Sequence, residues 1–414
     1  MRGRAIVIGG SLAGLFAGLL LRRRFAVDVY ERADAGLSGR GAGIATHALL
    51  FAALDAAGIG WRNGIGVEVG ERRFFDRDGG MSLAHPYRQI VTSWDRLYSL
   101  LRGAFPAAGY HEGKELVAVE ERPGSVVARF ADGSAAEGDV LVGADGLRSK
   151  VRAQVLPAVT PAYAGYAAWR ALVPEAALPL RLHAEVFAYM AFCLPPGEQI
   201  LGYPVAGPDN DLRAGRRRYN LVWYRPADAA ALRRLLTDES GIHHPLGIPP
   251  PLISRAVTAE MRDAAAAVLA PPFRDLVQLA ARPMLQAIYD VESPRMAFGR
   301  VALIGDAAFV ARPHVGAGVA KAARDALALA EALEAAPDVA AALKRMEAVQ
   351  QPFGSRVIAR ARALGACLQP HLATARERDD AVRFRAPQAT ITETATLEFL
   401  GRQQASWPAF TPGS

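Results

Sequence analysis

Cysteine is nearly absent from this chain of 414 residues, with only Cys193 and Cys367. They lie far apart in sequence, which excludes cysteine-based metal spacing and fits a reduced, cytoplasmic setting better than a disulfide scaffold. Lysine is scarce too: Lys114, Lys150, Lys321 and Lys344 are all there are, so arginine carries the net charge of +7. Apart from Arg22–Arg24 and Arg216–Arg218 the arginines are scattered. The chain therefore lacks the basic clusters with aromatic platforms that mark nucleic-acid binding. Its positive field suits small anions instead. The histidine pair His243-His244 has no further ligands at metal spacing, so no metal site is expected. Internal repeats are also missing. What is present is 51% hydrophobic and 21% charged residues, a globular composition with the length of two domains.

One stretch looks like a membrane segment. "AIVIGGSLAGLFAGLLLRRRFAVDVYER" runs from Ala5 to Arg32, and its first 17 residues carry no charge. A spanning helix needs about 20 apolar residues, and here Gly9, Gly10 and Ser11 interrupt the run. A secretion signal needs a small-residue cleavage site, but Arg22, Arg23 and Arg24 follow. The stretch reads better as strand Ala5–Ile8, turn Gly9–Gly14, helix Leu15–Arg24 and strand Val27–Tyr30, ending at Glu31. In such a unit Gly9 permits a tight turn and Gly10 lets backbone N–H groups approach a pyrophosphate. Gly14 allows close helix–strand packing, and an acid roughly 20 residues on binds a ribose. Ser11 stands where a third glycine is usual. Taken alone, the unit leaves NAD and FAD both open.

Two further stretches bear on the ligand. In "GDVLVGADGLRSKVR", Val140–Val142 reads as a buried strand with Asp145-Gly146 at its end, where open α/β sheets bind ligands. In isolation Asp-Gly is simply a turn. In "GRVALIGDAAFVARPHVGAGVAKAARDALALAEAL", strand Val301–Ile304 ends at Gly305-Asp306. Pro313 and Gly316-Ala317-Gly318 then precede a helix with apolar Ala326, Leu327, Ala330 and Leu333. A strand-end carboxylate can hold a sugar hydroxyl, and a glycine-rich helix start offers N–H donors.

The order of these three motifs resembles the single-component FAD-dependent aromatic hydroxylases, the para-hydroxybenzoate hydroxylase-like monooxygenases. The resemblance covers roughly residues 1–370. Its subgroup likeness, to members that hydroxylate 2,6-dihydroxypyridine, rests on "VIGGSLAGL", "GRGAGI", "TSWD", "YAGYAAWR", "PFRDLV" and "LIGDAAFVARPHVGAG".

The resemblance implies an α/β fold. A Rossmann-like FAD domain (residues 1–72, 97–165 and 287–370) would carry an inserted antiparallel β-sheet substrate domain (73–96 and 166–286). A long C-terminal helix over Ala340–Leu368, kinked or broken at Pro352, and a tail over 371–414 would follow. It implies that Gly9, Gly10, Ser11, Leu12, Ala13 and Gly14 cradle the FAD pyrophosphate. Glu31 and Arg32 would meet the adenosine ribose, Leu116 the adenine, Arg40 the phosphates and flavin edge, and Ala45 the ribityl chain. Asp145 and Gly146 would serve FAD and transient NADH or NADPH, and Asp306 a ribityl hydroxyl. Pro313, Gly316, Ala317, Gly318, Val319 and Ala320 would face the flavin ring. This sequence departs from the family at Trp94, Phe309, Ala317, Ala320, Gln350 and Gln351, where arginine, histidine, glutamine, asparagine and arginine are usual.

The implied reaction is hydroxylation of an electron-rich aromatic or pyridine ring by O2 through a flavin C4a-hydroperoxide, with NAD(P)H as reductant. His314 is the leading candidate for a base that ionises a ring hydroxyl. Tyr203, Tyr224 and His47 are further candidates. Arg312 is left open between pairing an anionic substrate and carrying a solvent charge. Related hydroxylases of urate, salicylate or a natural-product phenol, and a non-catalytic redox sensor, remain alternatives. A homodimer without membrane or nucleic-acid partners is the expected assembly.

Overall fold

The computed structural model describes residues 3–34, 36–37 and 43–401. The opening stretch lies at the centre of a six-stranded sheet. Strand Gly3–Ile8 pairs in parallel with Phe25–Tyr30 on one side and Val140–Gly143 on the other. Val301–Leu303 and Ala297–Phe298 extend the sheet beyond Val140–Gly143, and Tyr110–His111 closes the opposite edge. A strand hydrogen-bonded on both sides and covered on both faces has to be apolar throughout, which explains the continuous run Ala5–Ile8. The helix that follows spans Leu12–Leu21 and is buried along nearly its whole length. It starts inside the glycine motif, three residues before the expected Leu15, and stops before the three arginines. Its length is about 15 Å, half a bilayer core. Among the described residues no helix is long and apolar enough to cross a membrane.

A nine-stranded, mainly antiparallel sheet forms the second layer. Its order is Phe309–Val310, Met284–Glu292, Ala162–Pro174, Arg218–Pro226, Gln199–Val205, Met190–Cys193, Val67–Phe75, Met81–Ser93 and Gly43–Ala45. Val67–Phe75 runs across the expected boundary at residue 73. The period-two alternation of strands divides this sheet between two cores. Ala167, Trp169, Ala171 and Val173 pack with Met261, Phe273 and Leu276 of helices Arg255–Val268 and Pro271–Leu279. Tyr166 and Ala168 point the other way, joining Leu201, Tyr203, Val222 and Tyr224. That second face looks toward the glycine-rich turn at Gly316.

The C-terminal part differs from expectation in two ways. Helix Val339–Leu364 continues through Pro352 without a break. Close packing holds it there, since a Cβ on Gly354 would press into the Phe309 ring. Residues 371–401, expected as part of a polar tail, form helices Ala375–Arg383 and Pro387–Glu393. Their end is fastened by the buried guanidinium of Arg72, which donates to the carbonyls of Ile391 (3.0 Å) and Thr394 (2.7 Å).

Candidate active site

The first glycine motif makes a tight loop against the sheet. Gly9 has φ +108°, and a Cβ there would strike the Ala144 carbonyl. A Cβ on Gly14 would overlap the Gly9 carbonyl, so the helix start sits hard against the strand end. Ser11 makes no side-chain cap, so nothing in its side chain occupies the N–H groups of the first turn that begins at Leu12 and Ala13. That is the arrangement an anion needs at a helix N-terminus. Glu31 is buried and bridges the loop, accepting from the N–H of Gly10 (2.8 Å) and of Ala33 (3.0 Å). The Gly10 donor is therefore held by Glu31. Arg32 follows at the strand end. Leu116 begins a strand nearby, and the Lys114 N–H bonds the Glu31 carbonyl at 2.8 Å. Arg40 lies outside the described residues.

Two carboxylates end neighbouring parallel strands. Asp145 accepts from the N–H groups of Lys150 (2.7 Å) and Val151 (3.1 Å) and from the Ser149 hydroxyl. It is engaged in starting helix Lys150–Val155, with Gly146 completing the turn at φ +78°. Asp306 has no side-chain hydrogen bond among the described residues. It is accessible to solvent yet set among protein atoms, because it faces a cavity. Burial raises its carboxyl above the ordinary range, and the charges of Lys321, Asp325 and Arg152 modulate the shift.

That cavity, about 540 Å³, lies between the second sheet and the Gly316 turn. The turn supplies Pro313, His314, Gly316, Ala317, Gly318 and Val319; the sheet supplies Arg170, Leu201, Tyr203, Val222 and Tyr224. Ala45, Trp94, Thr394 and Ala395 complete part of the wall. Ala320 is buried just behind it. Gly316 takes the left-handed φ of +62°, and helix Gly318–Ala335 starts there with no side-chain cap. A Cβ built on Gly318 would meet nothing within 4 Å. The helix thus opens its positive end onto free space beside Asp306.

The four candidate bases separate clearly. The Nε2 of His47 lies 2.9 Å from the Gly316 carbonyl. A carbonyl can only accept, so His47 carries its proton on Nε2 and supports the turn. Burial lowers its pKa to about 4. His314 does line the cavity, but its Nε2 pairs with the Tyr166 hydroxyl at 2.9 Å. Burial, reinforced by the charges of Arg312 and Arg170, lowers its pKa to about 3. It is a neutral imidazole, with its ring 4.1 Å from that of Tyr224. Tyr224 and Tyr203 are both pushed up by burial, Tyr224 to about 12, so both keep their protons and act as donors. Arg312 is not free for a substrate. It makes a two-pronged ion pair with Asp290 (3.1 and 2.8 Å) and bonds Gln369.

Several supporting residues went unnoticed at the level of sequence. Arg152 is buried and donates to the carbonyls of Leu147 (2.6 Å) and Ala307 (2.9 Å), tying the two aspartate turns together. Lys321 and Asp325 form a buried pair at 3.1 Å that clamps Gly305 through its carbonyl and its N–H. Their i,i+4 spacing on an otherwise apolar helix was the available signal. Arg170 sits inside the motif "YAGYAAWR" but carried no signal of its own.

The comparisons agree with this geometry. A family model described as FAD binding domain-like matches residues 163–290, within the second sheet. The 2,6-dihydroxypyridine 3-monooxygenase of Paenarthrobacter nicotinovorans is 34% identical over 373 residues, 88% of this chain and 91% of that protein. The 3-amino-4-hydroxybenzoate 2-monooxygenase of Streptomyces cremeus is 32% identical, covering 87% and 86%. Among solved structures, 2,6-dihydroxypyridine-3-hydroxylase from Arthrobacter nicotinovorans superposes with a TM-score of 0.84 at 33% identity, covering 89% of this chain and 93% of that one. HpxO of Klebsiella pneumoniae, complexed with FAD and uric acid, has a TM-score of 0.73 at 24% identity over 94% and 91% of the two chains, a likeness of fold. A flavin-type α/β fold joined to a β-sheet over a ring-sized cavity defines a class, and the chain belongs to the FAD-dependent aromatic-ring monooxygenases. Its cofactor is FAD, and the two uncapped helix starts, the glycine cradle and the unpartnered Asp306 fit that group.

Proposed function

We propose that this enzyme hydroxylates an electron-rich, hydroxylated pyridine ring, with 2,6-dihydroxypyridine as the preferred substrate, using O2 and NADH or NADPH. The observation that carries the reading is the cavity itself, where one wall is a helix start with Asp306 and the other an aromatic sheet face bearing Tyr203, Tyr224 and His314. The substrate class comes from the relative that is a 2,6-dihydroxypyridine 3-monooxygenase, which aligns along most of both chains.

In this reading the N-terminus of Leu12–Leu21 holds the FAD pyrophosphate. Glu31 and Arg32 border the ribose, and the Leu116 backbone borders the adenine. Asp306 holds a ribityl hydroxyl, with Ala45 beside that chain. Bound FAD supplies the passage of electrons from NAD(P)H to O2 and the delivery of one oxygen atom to the ring. Everything else falls to side chains. The uncapped start of Gly318–Ala335 offers a positive dipole end where negative charge develops. Protonated Tyr203 and Tyr224 donate to ring oxygens. Neutral His314 keeps its Nε2 on the Tyr166 hydroxyl and, among the described residues, its Nδ1 free of any partner, and apolar Leu201 and Val222 keep the ring dry. Asp145 and Gly146 act on the cofactors through the shape of their turn. The free, buried cysteines support a cytoplasmic setting, and a homodimer follows from the family likeness.

Coenzyme oxidation by the FAD-loaded protein tests the proposal. Addition of 2,6-dihydroxypyridine should accelerate consumption of NADH or NADPH and yield a trihydroxylated pyridine. A yellow protein whose coenzyme oxidation ignores that compound would refute the substrate. A protein that cannot be loaded with FAD would refute the mechanism.

A further inference from the structure

Arg170 stands in the middle of strand Ala162–Pro174, on the face that carries Tyr166 and Ala168. Its register partners on the flanking strands are Val222 and Met284, so no carboxylate faces it across the sheet. Among the described residues it makes no hydrogen bond and no ion pair, and its Nε is buried without a partner. Buried polar groups are almost always satisfied, and the exceptions ask for an explanation. The Nε of Arg72 lacks a partner too, so the contrast with the buried arginines lies in the rest of the guanidinium. Arg72 and Arg152 hold backbone carbonyls, and Arg312 holds Asp290. Arg170 alone of these four faces the cavity.

We propose that Arg170 is the specificity-determining residue that receives the ionised hydroxyl of the substrate ring. The inference deepens the reading given above and rests on it for the identity of the ring. Among the described residues lining the cavity, Arg170 is the only cationic side chain and Asp306 the only carboxyl group. The other titratable groups of the lining offer hydrogen bonds but no charge: Tyr203 and Tyr224 are protonated and His314 is neutral. Arg170 shares the cavity wall with all three of these groups, so it borders the space a bound ring would fill. A guanidinium beside a ring hydroxyl favours its ionised form, and an ionised ring is the more electron-rich acceptor of oxygen. The ring enters as its monoanion, having left its proton in water, so no side chain has to act as a base. A planar fork of N–H donors also fixes the ring's orientation.

The test is binding to the FAD-loaded protein, measured by calorimetry and by the absorption of the bound ring. The probes are 2,6-dihydroxypyridine, its neutral ether 2,6-dimethoxypyridine, and salicylate with its methyl ester. Arg170→Gln should weaken 2,6-dihydroxypyridine roughly 10- to 100-fold, the range for a lost charge-assisted hydrogen bond, and leave the ether within about threefold. The absorption of bound dihydroxypyridine should be that of the anion in the native protein and shift toward the neutral form in the variant. Arg170→Lys should retain part of the preference for the anion, and it carries the test if the glutamine variant does not fold. Equal weakening of anion and ether would assign Arg170 to packing and overturn the proposal, as would no change in either. If the native protein binds salicylate but neither pyridine, and Arg170→Gln abolishes that binding, the pyridine reading fails while Arg170 keeps its role. If the native protein prefers no anion over its neutral counterpart, the Arg170 assignment fails whatever the ring.

Discussion

The turns at Asp145 and Asp306 look alike in sequence and differ in use. Each follows a short apolar strand, and those strands are parallel neighbours, with Leu141 opposite Val301. Asp145 is engaged by Ser149, Lys150 and Val151 of its own chain. Asp306 has no such partner and faces the cavity. The difference lies in what comes next. A serine three residues beyond Gly146 starts a helix at once and folds the Asp145 carboxylate back on it. After Asp306 the chain instead forms an edge strand and the Gly316 turn. A strand-end aspartate is therefore a binding group only when the following residues leave it unpartnered.

The largest effect should come from Arg152, which ties the two turns together. Arg152→Met leaves the carbonyls of Leu147 and Ala307 without donors, and each buried acceptor left unsatisfied costs about 1–3 kcal/mol. Denaturant unfolding should show that loss together with failure to retain FAD. Retention of both stability and FAD would mean the turns are independent.

Asp306→Asn should separate binding from stability. The FAD dissociation constant should rise roughly 10- to 100-fold, as for one lost hydrogen bond to a charged group. The apoprotein at pH 7 should be at least as stable as the native one, because folding raises this carboxyl's pKa and the ionised form is disfavoured when buried. A fall in apoprotein stability would give Asp306 a structural role after all.

The pH dependence of stability tests the histidines. Folding lowers the pKa of His47 from 6.5 to about 4. The unfolded chain therefore binds the extra proton, and stability present above pH 6.5 is lost as the pH falls toward 4. The slope approaches about 1.4 kcal/mol per pH unit for each such group. In His47→Gln this slope should be reduced by one proton's share, leaving that of His314. An unchanged melting profile between pH 7 and 4.5 would contradict the neutral, N–H-donating assignment of His47.

The smallest effect is expected at Asp145. Asp145→Ala removes a helix-starting acceptor, worth about 1–2 kcal/mol, and should lower the melting temperature while changing FAD affinity less than Asp306→Asn does. The reverse order would break the comparison.

Local chemistry was legible in the sequence and long-range pairing was not. The strand–turn–helix at Gly3–Leu21, the strand ends at Asp145 and Asp306 and the turn at Gly316 all follow from short-range rules of apolar runs and glycine placement. Glycine placement alone puts the helix start three residues late, because Leu12–Gly14 look like loop, whereas the helix begins at Leu12. The pairing of Tyr166 with His314 joins residues 148 positions apart, and no local pattern encodes it. Arg170 was hidden for the opposite reason, since its significance is the lack of a partner, and that depends on strand register. Residues 371–401 read as tail because they are polar, whereas Arg72 on a distant strand fastens them beside the cavity.

The most direct test of the account is turnover under isotopically labelled oxygen. The FAD-loaded protein, given NADH or NADPH and 2,6-dihydroxypyridine under 18O2, should yield a hydroxylated ring carrying one labelled oxygen atom and none when the label is in water. Coenzyme oxidation without label in the ring would contradict the account.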